Sequence, residues 1–210
     1  MRRTVVFDFG AVLFRWRPVE LLCTVLPGHA PDEARAAALA AQIFQGLDAD
    51  SDWARFDLGA VDEGELCRRI ARRTLLPEGD VRRLVDAVPG HLQPQHDVVE
   101  LFRALRSRGH RMAYLSNMPL PYALHLEREN PFVAEFDDGI FSSRVGLVKP
   151  SPAIFELASQ RFGLAPTEAV LFIDDHAGNV AAGIAHGWQG LRFEDAAQAR
   201  RELVRLGYLG

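Results

Sequence analysis

Two short apolar runs in this chain each end in aspartate. The run 5–7 leads into Asp8, and the run 170–173 leads into Asp174 and Asp175. A short apolar run bounded in this way is typical of a strand buried on both faces, as in a parallel sheet. Because a buried carboxylate without a partner is costly, we expect a cation or a proton between these three aspartates.

Strand-like runs alternate with helical segments through most of the chain. This alternation predicts an α/β fold with a parallel, Rossmann-like sheet. Residues 16–91 lack strand-like alternation and are predicted to be helical. They include a predicted helix over residues 31–47 and a last helix from Asp80 to Val88 that Pro89-Gly90 ends. We therefore expect an α/β core domain of residues 1–15 and 92–210 and an inserted helical cap domain of residues 16–91.

Composition excludes several classes of protein. Hydrophobic residues make up 48% and charged residues 25%, as in ordinary globular proteins, and a net charge of −4 offers no basic field for nucleic acid. The two cysteines, Cys23 and Cys67, lack zinc-site spacing and are predicted to be thiols of a reducing compartment. No apolar stretch approaches about 18 residues, so we expect a cytoplasmic protein without a membrane span. The oligomeric state stays open.

Polar residues follow several of the predicted strands. In open α/β sheets ligands bind beyond the carboxyl ends of the strands, where Asp8, Ser116 and the pair Asp174-Asp175 all stand. Asp8 and Asp175 suit Mg²⁺, which takes one or two carboxylates together with water and phosphate oxygens. Taken singly, each aspartate could equally be a helix cap or a turn residue.

Anion-binding groups are predicted at the same edge of the sheet. Ser116 and Asn117 would offer a hydroxyl and backbone N–H groups at a strand-to-helix turn, although helix capping is the simpler alternative. Lys149 stands in a chain whose positive charge comes almost entirely from arginine, and it could neutralise phosphate charge or be a surface residue. A tight turn that presents this lysine also favours a cis bond to Pro150.

Four ordered motifs resemble those of the haloacid dehalogenase-like hydrolase superfamily, and the resemblance covers nearly the whole chain. The motifs are Val6-Phe7-Asp8-Phe9-Gly10-Ala11-Val12-Leu13, Leu115-Ser116-Asn117, Lys149-Pro150 and Ile173-Asp174-Asp175-His176-Ala177-Gly178-Asn179. The helical insert resembles the small cap that this superfamily carries after the first motif, and residues 55–62 resemble a stretch common in such caps.

The resemblance implies a role for each motif residue. Asp8 would be the nucleophile that forms an aspartyl-phosphate. Mg²⁺ would bind Asp8, Asp175 and the backbone carbonyl of Gly10, supported by Asp174 and Asn179. Ser116, the Asn117 backbone and Lys149 would bind the phosphoryl group, and Lys149 would also act in catalysis by stabilising charge in the transition state.

Gly10 departs from the pattern of most phosphatases in the superfamily, which carry a second aspartate there as general acid and base. The sugar-phosphate phosphatase branch with glycine at this position is similar to this chain. Catalysis would then be slow, would use a good leaving group, or would rely on a substitute acid. The candidate substitutes are His176, Asp174, Arg15 and Asp57.

The sequence favours a Mg²⁺-dependent phosphatase of a small phosphorylated metabolite, with sugar phosphates as one candidate class. A 2-haloacid dehalogenase also uses an aspartate nucleophile and lacks the second aspartate, but it needs no metal and usually lacks the acidic pair. A fold of this family retained only for binding is the other alternative. At their helical spacing, Phe44, Trp53 and Phe56 are predicted to belong to the core rather than to contact substrate.

Overall fold

A five-stranded parallel sheet forms the centre of the protein in the computed structural model, which describes residues 3–46, 50–165 and 168–210. The strand order is β3-β2-β1-β4-β5, so the first strand lies in the middle. The strands are β1 (Thr4–Phe7), β2 (Arg111–Ser116), β3 (Asp138–Phe141), β4 (Val170–Asp174) and β5 (Gln189–Arg192). The predicted α/β, Rossmann-like fold class is confirmed.

Ten α-helices accompany the sheet in the described residues. Five follow β1 directly: α1 (Pro18–Val25), α2 (Glu33–Phe44), α3 (Asp52–Asp57), α4 (Glu63–Thr74) and α5 (Glu78–His91). The others alternate with strands: α6 (His96–Ser107), α7 (Leu120–Glu129), α8 (Pro152–Arg161), α9 (Ala177–Ala185) and α10 (Ala196–Arg205). We refer to residues 16–91 as the helical insert; its division from the core as a separate domain stays a prediction.

The central strands are buried on both faces, as their apolar sequences predict. The β1 residues are between 0% and 1% exposed, and Phe7 aligns with Tyr114 of β2 on one side and Ile173 of β4 on the other. Because all pairings are parallel, the carboxyl ends of these strands meet at one edge. No helix in the described part of the chain has both the length and the apolar character that a membrane span requires.

The prediction that Pro89-Gly90 ends the last helix of the insert is wrong. Helix α5 continues through Pro89 to His91. Proline has no N–H, so the backbone carbonyl of Val85, four residues earlier, loses its helical donor. The hydroxyl of Tyr122 in α7 donates to that carbonyl at 2.9 Å. A tyrosine outside the insert therefore supplies the hydrogen bond that the Val85 carbonyl lacks, and it connects α5 to α7.

Helix α2 is shorter than the pattern of residues 31–47 predicts. Asp32 caps its first turn by accepting from the Arg35 N–H at 2.8 Å, and the helix ends at Phe44. Gln45 and Gly46 then adopt left-handed backbone angles, with φ of 53° and 62°, which end the helical hydrogen bonding. Residue 47, the last of the predicted helix, lies outside the described residues.

Candidate active site

The predicted strand-end residues lie side by side at the carboxyl edge of the sheet. Asp8 follows β1 directly, and its N–H donates to the carbonyl of Ile173 at 2.9 Å. Asp174 is the last residue of β4 and Ser116 the last residue of β2, where it is 1% exposed. Since β2 and β4 flank β1, the fold brings three separate sequence motifs to one place.

Lys149 connects two of these motifs. Its Nζ lies 2.9 Å from Oδ1 of Asp8 and 2.6 Å from Oδ2 of Asp174, and its side chain is 1% exposed. It is also the only lysine in the 210-residue sequence. The alternative that Lys149 is a surface residue is therefore wrong: the ammonium group is buried between two carboxylates.

Asp174 is engaged on both of its oxygens. Oδ1 accepts from the N–H of His176 at 2.8 Å, Oδ2 accepts from Lys149, and the Asn179 amide lies 3.1 Å from each oxygen. Asp174 itself is fully buried. Its contacts fix the position of the Lys149 ammonium and of the turn that carries Asp175.

Burial changes the protonation chemistry of this cluster. It raises the pKa of Asp8 to about 7, against the opposing effect of Lys149, and the charges of Asp174 and Asp175 add to the rise. Burial also raises the pKa of Asp175, as does the charge of Asp174. For Lys149, burial lowers the pKa, but Asp174 and Asp8 outweigh burial and the net shift is upward.

The residues at this edge fit a hard divalent cation. One oxygen from each of Asp8, Asp174 and Asp175 lies within 4.8 Å of the others, and with every group ionised three carboxylates face a single ammonium. The Oδ1 atom of Asn179 is buried and accepts no hydrogen bond within the described structure. A Mg²⁺ ion with its waters takes oxygen ligands of this kind and would offset the excess negative charge.

Asn117 positions Lys149 through a reciprocal pair of hydrogen bonds. Its Nδ2 donates to the Lys149 carbonyl at 2.9 Å, and its Oδ1 accepts from the Lys149 N–H at 2.8 Å. The side-chain amide is thereby committed, which leaves the Asn117 backbone as its predicted phosphate-binding group. The peptide bond between Lys149 and Pro150 is cis, and that prediction is confirmed.

A cavity of about 260 Å³ opens above the carboxylate cluster, between the sheet edge and the helical insert. Sheet-edge residues form its floor, while the residues above them are mostly apolar. The described residues that line it include Asp8, Gly10, Asn117, Lys149, Asp175, His176 and Asn179 below, and Trp16, Phe44, Trp53, Asp57, Val88, Leu92, Met118 and Tyr122 above. Phe56 is 2% exposed, as predicted for the core, but Phe44 and Trp53 reach the cavity.

Asp57, at the end of α3, is a carboxylate that the insert contributes to this cavity. The Ser142 hydroxyl donates to the Asp57 backbone carbonyl at 2.5 Å and accepts from the Met118 N–H at 2.8 Å. Gly59 lies against Ser143, since a Cβ on this glycine, at φ +77°, would sit 3.0 Å from the Ser143 carbonyl oxygen. These contacts attach the end of α3 to the sheet-edge loops.

The environment of Asp57 favours its protonated form. Burial raises the pKa of Asp57 to about 8, and the charge of Asp8 adds to the rise while Lys149 opposes it. Asp57 is one of the four candidate substitutes predicted from the sequence for the acid missing at Gly10. Its position in the cavity depends on how α3 packs on the core, and the spacing of residues along the chain carries no signal of that packing.

Gly10 lines the cavity floor without being required by packing. A Cβ built on Gly10 meets no atom within 4 Å, and its backbone is outside the left-handed region. The absence of a carboxylate at this position is therefore a chemical property of the site rather than a steric necessity.

Comparison with known proteins gives the family. The haloacid dehalogenase-like hydrolase profile matches residues 3–187. A relative, the sesquiterpene phosphatase astK of Aspergillus oryzae, is 25% identical over 97% of this chain and 96% of its own length.

Two solved structures share the fold. A family enzyme of Bacteroides thetaiotaomicron, in complex with magnesium and inorganic phosphate, has a TM-score of 0.65 at 21% identity and covers 93% of this chain and 97% of its own. The L-2-haloacid dehalogenase of Xanthobacter autotrophicus, with chloropropionic acid covalently bound, has a TM-score of 0.67 at 22% identity, over 98% and 83% of the two chains. The profile match spans most of the sequence, and the protein belongs to the haloacid dehalogenase-like hydrolase family.

Proposed function

We propose that this protein is a Mg²⁺-dependent phosphatase that hydrolyses a small phosphorylated metabolite through a phosphorylated Asp8. The observation that carries the proposal is the buried contact of Lys149 with both Asp8 and Asp174, with Asp175 in the same cluster. The phosphatase relative that matches along nearly its full length supports this class of reaction. The cytoplasmic location stays a prediction from the sequence.

The site residues divide between binding the cation and binding the phosphoryl group. Asp8, Asp175 and the Gly10 carbonyl would hold Mg²⁺, and when bound the ion would offset the charge of the attacking carboxylate and of the phosphoryl oxygens. Lys149, Ser116 and the Asn117 backbone would bind the phosphoryl group. Asp174 and Asn179 would keep Lys149 and the loop after β4 in place.

Asp8 carries the covalent chemistry in two steps. The N–H of Phe9 and the ammonium of Lys149 both contact Oδ1 of Asp8, which leaves Oδ2 to attack phosphorus. In the first step the bond from Oδ2 to phosphorus forms, and the bond from phosphorus to the ester oxygen breaks. In the second step water attacks the phosphorus, Asp8 leaves as a carboxylate, and inorganic phosphate is released.

We expect hydrolysis of p-nitrophenyl phosphate with Mg²⁺ and a loss of about 10²-fold or more when EDTA removes it, because a catalytic metal contributes several kcal/mol. The same preparation should release no chloride from 2-chloropropionate. Chloride release without Mg²⁺ would instead establish the dehalogenase alternative. Folded protein that hydrolyses no phosphate ester would support a role in binding alone.

A further inference from the structure

The upper wall of the cavity is aromatic. Trp16 and Phe44 lie with ring centroids 5.1 Å apart at 84°, and Phe44 and Trp53 lie 4.6 Å apart at 75°. Behind them Trp53 contacts Phe56, which is 2% exposed and in turn contacts Tyr122. These edge-to-face contacts hold the wall in place from the buried core.

Hydrogen-bonding side chains are scarce on this wall. Of the described insert residues that line the cavity, Asp57 is the one with a polar side-chain group other than an indole N–H. A polyol lying against the described part of this wall would lose hydrogen bonds to water and regain few from the wall. An apolar group would instead bury its surface against the rings.

We infer that the substrate is the phosphate monoester of an apolar alcohol with a body about the size of one six-membered ring. The inference rests on the proposed phosphatase function. An apolar cavity of about 150 Å³ holds benzene, so about 260 Å³ accommodates one ring above the phosphoryl site. The ring would lie against Phe44 and Trp53 while the phosphoryl group contacts Lys149.

The test compares two esters that differ in the hydroxyls of the ring. Cyclohexylmethyl phosphate and glucose 6-phosphate are both primary esters on a six-membered ring, so their leaving groups are similar. We expect kcat/KM to favour cyclohexylmethyl phosphate by about 10²-fold or more. A preference for glucose 6-phosphate, or equal values, would overturn the inference.

Acetyl phosphate separates this inference from the proposed function, because its leaving group is too small to reach the aromatic wall. If acetyl phosphate is hydrolysed while glucose 6-phosphate is preferred, the phosphatase proposal stands and the apolar substrate is wrong. Phe44→Ala should lower kcat/KM for cyclohexylmethyl phosphate about 10-fold more than it lowers kcat/KM for acetyl phosphate. An equal effect on both would contradict a contact between Phe44 and the substrate body.

A separate observation concerns the proton that the leaving alkoxide needs. Gly10 cannot supply it, Asp174 is committed to Lys149 and to the loop of Asn179, and Arg15 pairs with Glu20 at 3.0 Å. Asp57 lines the same cavity as Asp8, and the hydroxyl of Ser142 fixes its backbone against the loop that follows Asn117.

We propose that Asp57 is the general acid and base of the reaction, in place of a carboxylate at position 10. As Asp8 bonds to phosphorus, the Asp57 carboxyl gives its proton to the ester oxygen, and the alcohol leaves neutral. The Asp57 carboxylate then takes a proton from the water that attacks phosphorus, which restores its acid form as phosphate departs. Burial, which raises the pKa of Asp57 to about 8, keeps that proton available near neutral pH.

Leaving-group dependence tests this role. The value of kcat/KM reports the steps up to and including release of the alcohol. In these steps p-nitrophenolate can leave without a proton, whereas an alkoxide needs one. Asp57→Asn should lower kcat/KM for cyclohexylmethyl phosphate by about 10²- to 10⁴-fold and that for p-nitrophenyl phosphate by less than about 10-fold. Equal losses for both esters would show that Asp57 is only structural and would overturn the proposal.

His176 provides the comparison, because it also lines the cavity. Its Nδ1 accepts from the Gly178 N–H at 3.1 Å as the cap of α9, a contact that asparagine can replace. If the leaving-group-selective loss appears in His176→Asn and not in Asp57→Asn, then His176 is the acid and the proposal for Asp57 is wrong.

Discussion

Replacing Asp8 with asparagine should abolish phosphate-ester hydrolysis, with a loss on the order of 10⁴-fold or more, as for the removal of other covalent nucleophiles. The amide is neutral and has no carboxylate oxygen to form the bond to phosphorus. Its Oδ1 can still accept from Phe9 and Lys149, so the fold should survive. Acid quench during turnover of ³²P-labelled substrate should trap a phosphorylated protein in the wild type and none in Asp8→Asn.

Asp62→Asn is the matched control for Asp8→Asn. Asp62 caps α4 by accepting from the Glu65 N–H at 2.7 Å, and asparagine caps helices equally well. The same chemical change should therefore leave both activity and stability intact at this position. Turnover that survives in Asp8→Asn would show that Asp8 is not the nucleophile.

Lys149→Met should destabilise the protein by about 3–5 kcal/mol, since it leaves Asp8 and Asp174 buried without a positive partner. Asp8 can escape part of that cost by binding a proton. Removing the ammonium takes away the effect that opposes the raised pKa of Asp8, so the penalty should be larger at pH 8 than at pH 5, where protonation of Asp8 relieves it. Urea denaturation at the two pH values measures the free energy of unfolding of both proteins. A lower urea midpoint with an unchanged m-value would report the loss of stability.

Asp174→Asn completes a double-mutant cycle with Lys149→Met. Asn179 and the His176 N–H contact Asp174, so an amide there retains part of the local hydrogen bonding. With one of the two uncompensated charges gone, the double variant should be more stable than the sum of the single losses by about 1–3 kcal/mol. Additive losses would show that Lys149 and Asp174 do not stabilise each other.

The sequence indicated the lower half of the site because that half follows from strand order and strand ends. Asp8, Ser116 and Asp174 each terminate an apolar run, and parallel strands bring such ends together. The pairing of Lys149 with Asp8 and Asp174 could be anticipated only through family resemblance, since Lys149 lies 25 residues before Asp174 in the chain. The reciprocal bonds between Asn117 and Lys149 leave no signature in spacing.

The upper half of the site was far less predictable. Phe44 and Trp53 have the helical spacing of core residues, and the same spacing serves equally well for rings that face a cavity. Helix α5 passes through Pro89 because Tyr122, more than thirty residues along the chain, supplies the missing donor. Both outcomes depend on how the insert packs against the core, and local pattern says nothing about contacts between distant segments.

The Ser142 hydroxyl, which joins the Asp57 carbonyl to the Met118 N–H, would make the proposed chemistry depend on contact between the helical insert and the core. In the proposed mechanism the nucleophile belongs to the core and its proton donor to the insert. Without Asp57 in place, Asp8 could still react with phosphoryl groups whose leaving group needs no proton, but hydrolysis of ordinary alkyl esters would be slow. The contact between insert and core would therefore determine which phosphate esters the protein hydrolyses.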